Sequence, residues 1–435
     1  MARRALILIE DHAGSGLPYV RAARRLGLHP ITLCADPTQY DYVAAESVQT
    51  IRVDTDNLDA MIHECSQLRT TYEIAGITGF SGLDETIYVA VAKLCRHFDL
   101  PGPSTASIEQ CCDKFVQRQI LAEAGVPMPA YRLATSARDV KSAAAELGLP
   151  VIVKPAVGTG STGVRSCRSL DELAEHTTYL LGGKYIWRSS PRILVEEFAQ
   201  GPVYTAHIMG NEIIGIVESE FGPPPHFVSR ELTFPVLLAD HEHKRIADVS
   251  LSCLQALGLG WGPTNIEFRW TTRGPVVIEV NPRLAGAPEP QLVQLACGVD
   301  LITEHVKLVV GNKWDLAKRR SHIAGARKLV ADRDGILDRI NGDDRAAAVP
   351  NVAEVRFHLE PKTPIIRKGD YRDCIGYVIA ASPDHARTKA TLQRAVDLID
   401  WSITPFATPG EQEQFVASDF RADDERLVCK GRCSQ

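Results

Sequence analysis

Between Asn265 and Asn281 the chain folds back on itself in a way that brings two glutamates face to face. The segment Asn265-Ile266-Glu267-Phe268-Arg269-Trp270 alternates polar and apolar, Thr271-Thr272-Arg273-Gly274-Pro275 reads as a turn, and Val276-Val277-Ile278-Glu279-Val280-Asn281 alternates again. A β-hairpin symmetric about Arg273 sets Glu267 opposite Glu279 and Asn265 opposite Asn281, with Cβ atoms roughly 4.5 to 5.5 Å apart on one face. Ile266, Phe268, Ile278 and Val280 then take the other face. Facing carboxylates repel, so this arrangement asks for a cation, and a hard divalent ion such as Mg²⁺ wants a few carboxylate oxygens together with waters and phosphates. A solvated hairpin edge, with Arg269 or Arg273 neutralising the acids, fits the same residues.

A chain of 435 residues exceeds one ordinary core, so two to four structural units are expected, and 45% hydrophobic with 23% charged residues is ordinary globular composition. A net charge of −6 without a polybasic run gives no footprint for nucleic acid or for an anionic membrane, which favours small-molecule partners. The apolar stretch Ala5 to Ile9 stops at Glu10 and Asp11, too short for a signal-peptide core or a membrane span, so a cytoplasmic location is expected. Eleven cysteines form no paired metal-ligand spacing and read as reduced, mostly structural thiols, with Cys429 and Cys433 in a polar tail.

Short apolar runs at 5–9, 31–34 and 74–78, separated by helix-like stretches such as Leu17 to Leu26, make a β-α-β alternation. Residues 1–103 therefore read as an α/β unit with a parallel sheet, ending at Pro101-Gly102-Pro103. A helix from Ser107 carries Lys114 and Arg118 on one face. A second opens at Ser136 and stops at Gly148, ahead of the strand Val151 to Lys154. Units at 104–192, 193–310 and 311–405 follow, the last with a strand at 375–380 and a helix at 383–399 capped by Ser382. A polar tail occupies 406–435.

Gly158-Thr159-Gly160-Ser161-Thr162-Gly163 satisfies the dinucleotide pattern G-x-G-x-x-G, but its context argues against that reading. The fingerprint needs a helix opening on the final glycine, whereas Val164-Arg165-Ser166-Cys167 reads as strand, and no Gly-Lys-Ser/Thr follows to make a Walker loop. What remains is a hairpin loop whose amides and hydroxyls can cover phosphate oxygens, or a merely flexible turn. Lys154 ends the preceding strand and Lys114 lies upstream; around a phosphate loop two lysines can clamp charge, though either one singly also reads as a surface lysine.

Taken in order, Asp113-Lys114 with Arg118, Ala124-Gly125-Val126-Pro127-Met128-Pro129, Val153-Lys154-Pro155, the 158–163 loop, Val195-Glu196-Glu197-Phe198, Glu267 and Glu279-Val280-Asn281-Pro282-Arg283 resemble the ATP-grasp superfamily over roughly residues 1–310. The resemblance implies a mixed α/β and α+β multidomain fold, with ATP between two antiparallel sheets and an N-terminal parallel-sheet domain framing the substrate. It implies phosphate contacts from Lys114, Lys154 and the loop residues Gly158, Gly160, Ser161 and Thr162, and a hinge strand, Glu196, Glu197, Phe198 and Ala199, meeting adenine. Glu267, Glu279 and Asn281 match the family's Mg²⁺ ligands, two ions with Mn²⁺ as a substitute, and Arg283 matches the arginine that stabilises the reacting acyl phosphate. Relatives often carry a Glu just after Gly201-Pro202; here Val203 stands there. Asn281-Pro282-Arg283-Leu284-Ala285-Gly286 and Gly376-Tyr377-Val378-Ile379-Ala380 look most like the L-amino acid ligases.

The implied reaction joins a carboxylate to an amine through an acyl phosphate, releasing ADP and phosphate, with amino acids as the expected substrates and a homodimer as a common assembly. Arg283 and Lys154 are the expected catalytic groups. In the loop Phe221 to Pro235, Arg230 is a candidate for a substrate carboxylate and Glu231 or His226 for an amine, against the alternative of a solvated proline-rich loop. A carboxylating or purine-pathway-type enzyme acting on bicarbonate or a ribotide would show the same nucleotide site. A regulatory subunit holding ATP without chemistry is a third reading, opposed by the intact Glu267, Glu279, Asn281 and Arg283.

Overall fold

The computed structural model describes residues 2–11, 16–81, 86–182 and 191–408; the expected tail beyond 408 lies outside the described residues. Four strands, β1 (Arg3–Asp11), β2 (His29–Cys34), β3 (Gln49–Arg52) and β4 (Tyr72–Ser81), pair in parallel in the order β3-β2-β1-β4. β1 is apolar on both faces because both are covered: Ala5, Ile7 and Ile9 pack on one side, Leu6 and Leu8 on the other. The second layer includes Val306 and Val309 of the helix Leu301–Val309, which ties this unit to the rest of the chain. β3 was not legible in the sequence, since Ile51 is its one large apolar residue.

A second sheet, antiparallel in the order β5-β8-β6-β7, consists of β5 (Tyr131–Ala134), β6 (Val151–Pro155), β7 (Arg165–Cys167) and β8 (Ile193–Glu197). Helices Ala137–Leu147 and Leu170–Gly182 cover one face of it. The first begins at the Ser136 cap and ends at Gly148, as the sequence reads. Because β6 and β7 pair directly, the glycine loop joins two strands, which rules out the helix that a dinucleotide or Walker site requires.

The single helix expected from Ser107 is instead two, Thr105–Cys111 and Lys114–Glu123. Asp113 makes the break: its carboxylate accepts the Phe115 and Val116 amides at 2.8 and 3.2 Å, capping a new helix that starts at Lys114.

The largest sheet contains β9 (Val203–Met209), β10 (Glu212–Phe221), β11 (Ser229–Phe234), β12 (Pro263–Thr271), β13 (Gly274–Asn281), β14 (Ile323–Val330), β16 (Val352–Phe357) and β18 (Cys374–Ser382), in the order β13-β12-β9-β10-β11-β14-β18-β16. A small sheet of β15 (Gly335–Asn341), β17 (Pro364–Ile365) and β19 (Asp400–Thr404) lies beside it. The helix after β18 runs His385–Val396 and is capped by Asp384, whose side chain accepts the Arg387 amide at 2.8 Å; Ser382, the expected cap, is the last residue of β18. Seven of the nine cysteines among the described residues are buried, consistent with structural thiols. No helix of the described residues is long and apolar enough to cross a membrane.

The hairpin β12–β13 pairs Asn265 with Asn281 and Glu267 with Glu279, the register read from the sequence. It departs from symmetry past Glu267: a bulge shifts the register, so Phe268 faces Val277 and Thr271 faces Gly274. The turn is therefore Thr272-Arg273 rather than five residues about Arg273. The bulge also reverses one expected orientation. Val277 joins Ile266, Phe268 and Val280 in the core, while Ile278 turns with Glu279 toward the cleft.

Candidate active site

A cleft of about 1080 Å³, counting its open mouth, lies between the β5–β8 sheet and the β9–β13 end of the large sheet. Lys114, Lys154, Gly158, Gly160, Ser161, Thr162, Glu196, Glu197, Phe198, Ala199, Glu267, Glu279, Asn281 and Arg283 all line it. Segments more than 100 positions apart thus meet where the sequence motifs imply one site. His226, Arg230 and Glu231 do not line the cleft. Glu231 is held by Arg327 of β14 at 2.6 Å, which commits its carboxylate to the sheet. Arg230 is exposed and packs its guanidinium against Gly222, and His226 abuts Gly369.

The cationic end of the cleft is built on Glu196. Its two carboxylate oxygens bind Arg118 Nε at 2.7 Å and Lys154 Nζ at 2.5 Å, all three residues being buried. Burial pulls the Lys154 pKa down, with Glu196 opposing; burial raises that of Glu196, but Arg118 and Lys154 outweigh it and the acid stays below its ordinary value. The Glu196 side chain is therefore committed to holding Lys154, leaving its backbone for any ligand. Arg118 also donates to the Ile278 carbonyl, and Gln117 bonds both backbone groups of Val280. The helix Lys114–Glu123 so grips the strand that carries Glu279. Neither role was assigned from the sequence, since nothing local marks Gln117 or Arg118 as buried.

Lys114 Nζ lies 3.0 Å from Glu279 Oε1 and donates to the Gly158 carbonyl at 2.5 Å. It links the glycine loop to the acidic pair. The loop is held further by His176, whose Nε2 is 3.0 Å from the Gly163 carbonyl, and by the Tyr371 amide, 3.4 Å from the Gly160 carbonyl. At Gly160 φ is +64°, and a Cβ there would run into the Tyr371 ring.

Burial first, and then repulsion from Glu279 and Glu289, push Glu267 up to about 7. Glu279 is also pushed up by burial, but Lys114 and Lys154, with Arg283, bring it below its ordinary value. Asn281 donates its Nδ2 to Asn265 Oδ1 at 3.2 Å, and Asn265 donates to the Arg283 carbonyl at 2.9 Å, an amide chain that aims Asn281 Oδ1 away from its neighbour. Two carboxylates that repel one another and an amide oxygen fit Mg²⁺, which takes few protein ligands and completes its shell with phosphate and water. Among the described residues no group of three or more His, Cys, Asp or Glu side chains is placed to hold a metal ion, so an ion here would take Glu267 and Glu279 with Asn281 and non-protein ligands.

Two family models match. Residues 113–317 match the carbamoyl-phosphate synthase L chain ATP-binding domain, and residues 327–404 match the L-amino acid ligase C-terminal domain 2. The chain belongs to the ATP-grasp ligases. It is 60% identical over 413 residues to the uncharacterized protein y4rH of Sinorhizobium fredii (strain NBRC 101917 / NGR234), covering 95% of this chain and 86% of that one. Human carnosine synthase 1 is 26% identical over 418 residues, 89% of this chain and 49% of the synthase, so the chain spans about half of that relative. The crystal structure of an L-amino acid ligase from Bacillus licheniformis superposes with a TM-score of 0.75 at 18% identity, over 93% of this chain and all of that one. ATP-grasp carboxylate-amine ligases are ADP-forming enzymes that use ATP and Mg²⁺.

Proposed function

We propose that this ATP-grasp ligase forms an amide bond between a carboxylate and an amine, at least one of them an amino acid, through an acyl phosphate. The carrying observation is the convergence of Glu267, Glu279, Asn281 and Arg283 with Lys114 and Lys154 on one cleft. The match of residues 327–404 to an L-amino acid ligase domain supports the amino-acid substrate.

In this reading the hinge residues Glu196–Ala199 and the aromatic ring of Phe198 seat adenine, and the 158–163 loop, Lys114 and Lys154 receive the phosphates. Lys154, held rigid by Glu196, presents its ammonium without reorganisation, which is what favours a transition state over a ground state. Two Mg²⁺ ions at Glu267, Glu279 and Asn281 would neutralise phosphate charge against the incoming carboxylate. Arg283, two residues past Asn281, offers a planar donor fork to the developing oxyanion as the amine attacks and phosphate leaves. The loop closes over the site and excludes water from the acyl phosphate. The unit 1–103 frames the substrates, 104–192 serves as lid, and 193–310 carries the metal ligands.

Mass spectrometry of products from the pure protein, ATP, Mg²⁺ and a pool of amino acids, other amines and acids tests the proposal. A condensation product containing an amino acid, with one ADP per bond, is expected. Turnover only with bicarbonate, or ATP binding without any product-linked ADP, rejects it.

A further inference from the structure

Arg269 is a cleft-lining cation that the reaction above does not use. It follows Glu267 by two residues on β12, so both side chains leave the same sheet face, roughly 7 Å apart along the strand. Arg269 Nη1 donates to the Gly201 carbonyl at 2.8 Å, and its guanidinium carbon lies 5.7 Å from the centre of the Phe227 ring. Burial draws its pKa below the ordinary value, with the Glu267 charge opposing. Its directly opposed neighbour on β9 is Val203, buried, apolar and also lining the cleft.

In the cleft lining Lys114 pairs with Glu279 and Lys154 with Glu196, and three aromatic rings, Phe198, Phe221 and Phe227, are also present, the rings of Phe198 and Phe227 centred 6.1 Å apart. A nucleotide with its phosphates at the Glu267–Glu279 pair and its base among the aromatic rings passes its sugar over Arg269 and Val203. The valine can neither donate nor accept there. A guanidinium has donors only, one of which is spent on Gly201, and the bond to that carbonyl together with the Phe227 ring fixes its plane.

We propose that Arg269 donates to the ribose 2′- and 3′-hydroxyl oxygens of the bound nucleotide and is the residue by which this enzyme selects ribonucleotides. The inference rests on the ATP-binding reading of the cleft. A donor that is charged and partly shielded from water makes the stronger class of hydrogen bond, and removing the sugar oxygens takes that partner from a half-buried guanidinium.

Calorimetric titration of the full chain with Mg²⁺-ATP and Mg²⁺-2′,3′-dideoxy-ATP provides the test, with Arg269→Leu and Arg269→Lys alongside. The unaltered protein is expected to bind ATP about 10-fold more tightly than the dideoxy nucleotide. Arg269→Leu should bring the ratio close to one by weakening ATP alone, and Arg269→Lys should retain part of it. Equal affinities in the unaltered protein overturn the proposal. So does a variant that weakens both nucleotides alike, as a phosphate-binding or structural arginine would, or one that leaves the ratio unchanged. Failure of the unaltered protein to bind either nucleotide removes the ATP reading itself. Should Arg269→Leu fail to fold by circular dichroism, the lysine variant carries the ratio.

Discussion

The carboxamide of Gln117 pairs with both backbone groups of Val280: Nε2 donates to the carbonyl at 2.8 Å and Oε1 accepts the amide at 2.9 Å. Val280 sits between Glu279 and Asn281, so this pair fixes the strand that presents two residues of the proposed metal site. Gln117→Leu leaves a buried amide and a buried carbonyl without partners, at a cost of about 3 kcal/mol. Urea unfolding should show that loss, and ATP-dependent ADP release should fall with it. A variant of unaltered stability would mean that water replaces the side chain.

Glu279 contacts Lys114 at 3.0 Å and faces Glu267 across the hairpin. Replacing it with Ala removes one carboxylate of the proposed metal site and releases Lys114 from its place beside the loop. ADP formation by Glu279→Ala at saturating Mg²⁺ should drop roughly 100-fold or more. Near-normal turnover under those conditions rejects the metal-site assignment.

Glu196 compensates two buried cations. In Glu196→Gln the Arg118 and Lys154 charges remain in the interior with no anion between them, and stability should fall by about 3 to 5 kcal/mol. Thermal or denaturant unfolding measures the loss. Arg118→Met combined with Glu196→Gln should recover part of it, since one of the stranded charges is then gone.

His305, on the helix Leu301–Val309, bonds through Nδ1 to the Tyr19 hydroxyl at 2.9 Å, joining that helix to the N-terminal unit. Burial lowers its pKa from 6.5 to about 4. The folded state therefore holds the ring neutral where the unfolded state takes up a proton, so unfolding is favoured as pH falls. The contribution is fully present above about pH 6.5 and is lost progressively down to about pH 4, in total about 3 kcal/mol. Urea unfolding at pH 8, 6 and 5 should show declining stability, with a shallower decline in His305→Gln. Identical slopes in the two proteins would remove His305 from the effect.

Sequence alone determined the alternation on either side of a turn about Arg273, and with it the facing of Glu267 and Glu279 and of Asn265 and Asn281. It also determined that the glycine loop joins strands rather than opening a helix. These are short-range consequences of side-chain period and turn chemistry, readable within about 20 residues. Tertiary structure decided the rest. The bulge that turns Ile278 into the cleft lies where Arg118 and Gln117 grip the Ile278 and Val280 backbone from 160 or more positions away. The break at Asp113 places Lys114 at a helix start, where it reaches both Gly158 and Glu279. The Glu196 side chain, on a strand whose motif implies a hinge meeting adenine mostly through backbone groups, is drawn to Arg118, 78 positions away, and to Lys154. A buried charge must find a counter-charge, and which one it finds is set by the packing of the sheets around it, information that no local window of residues contains.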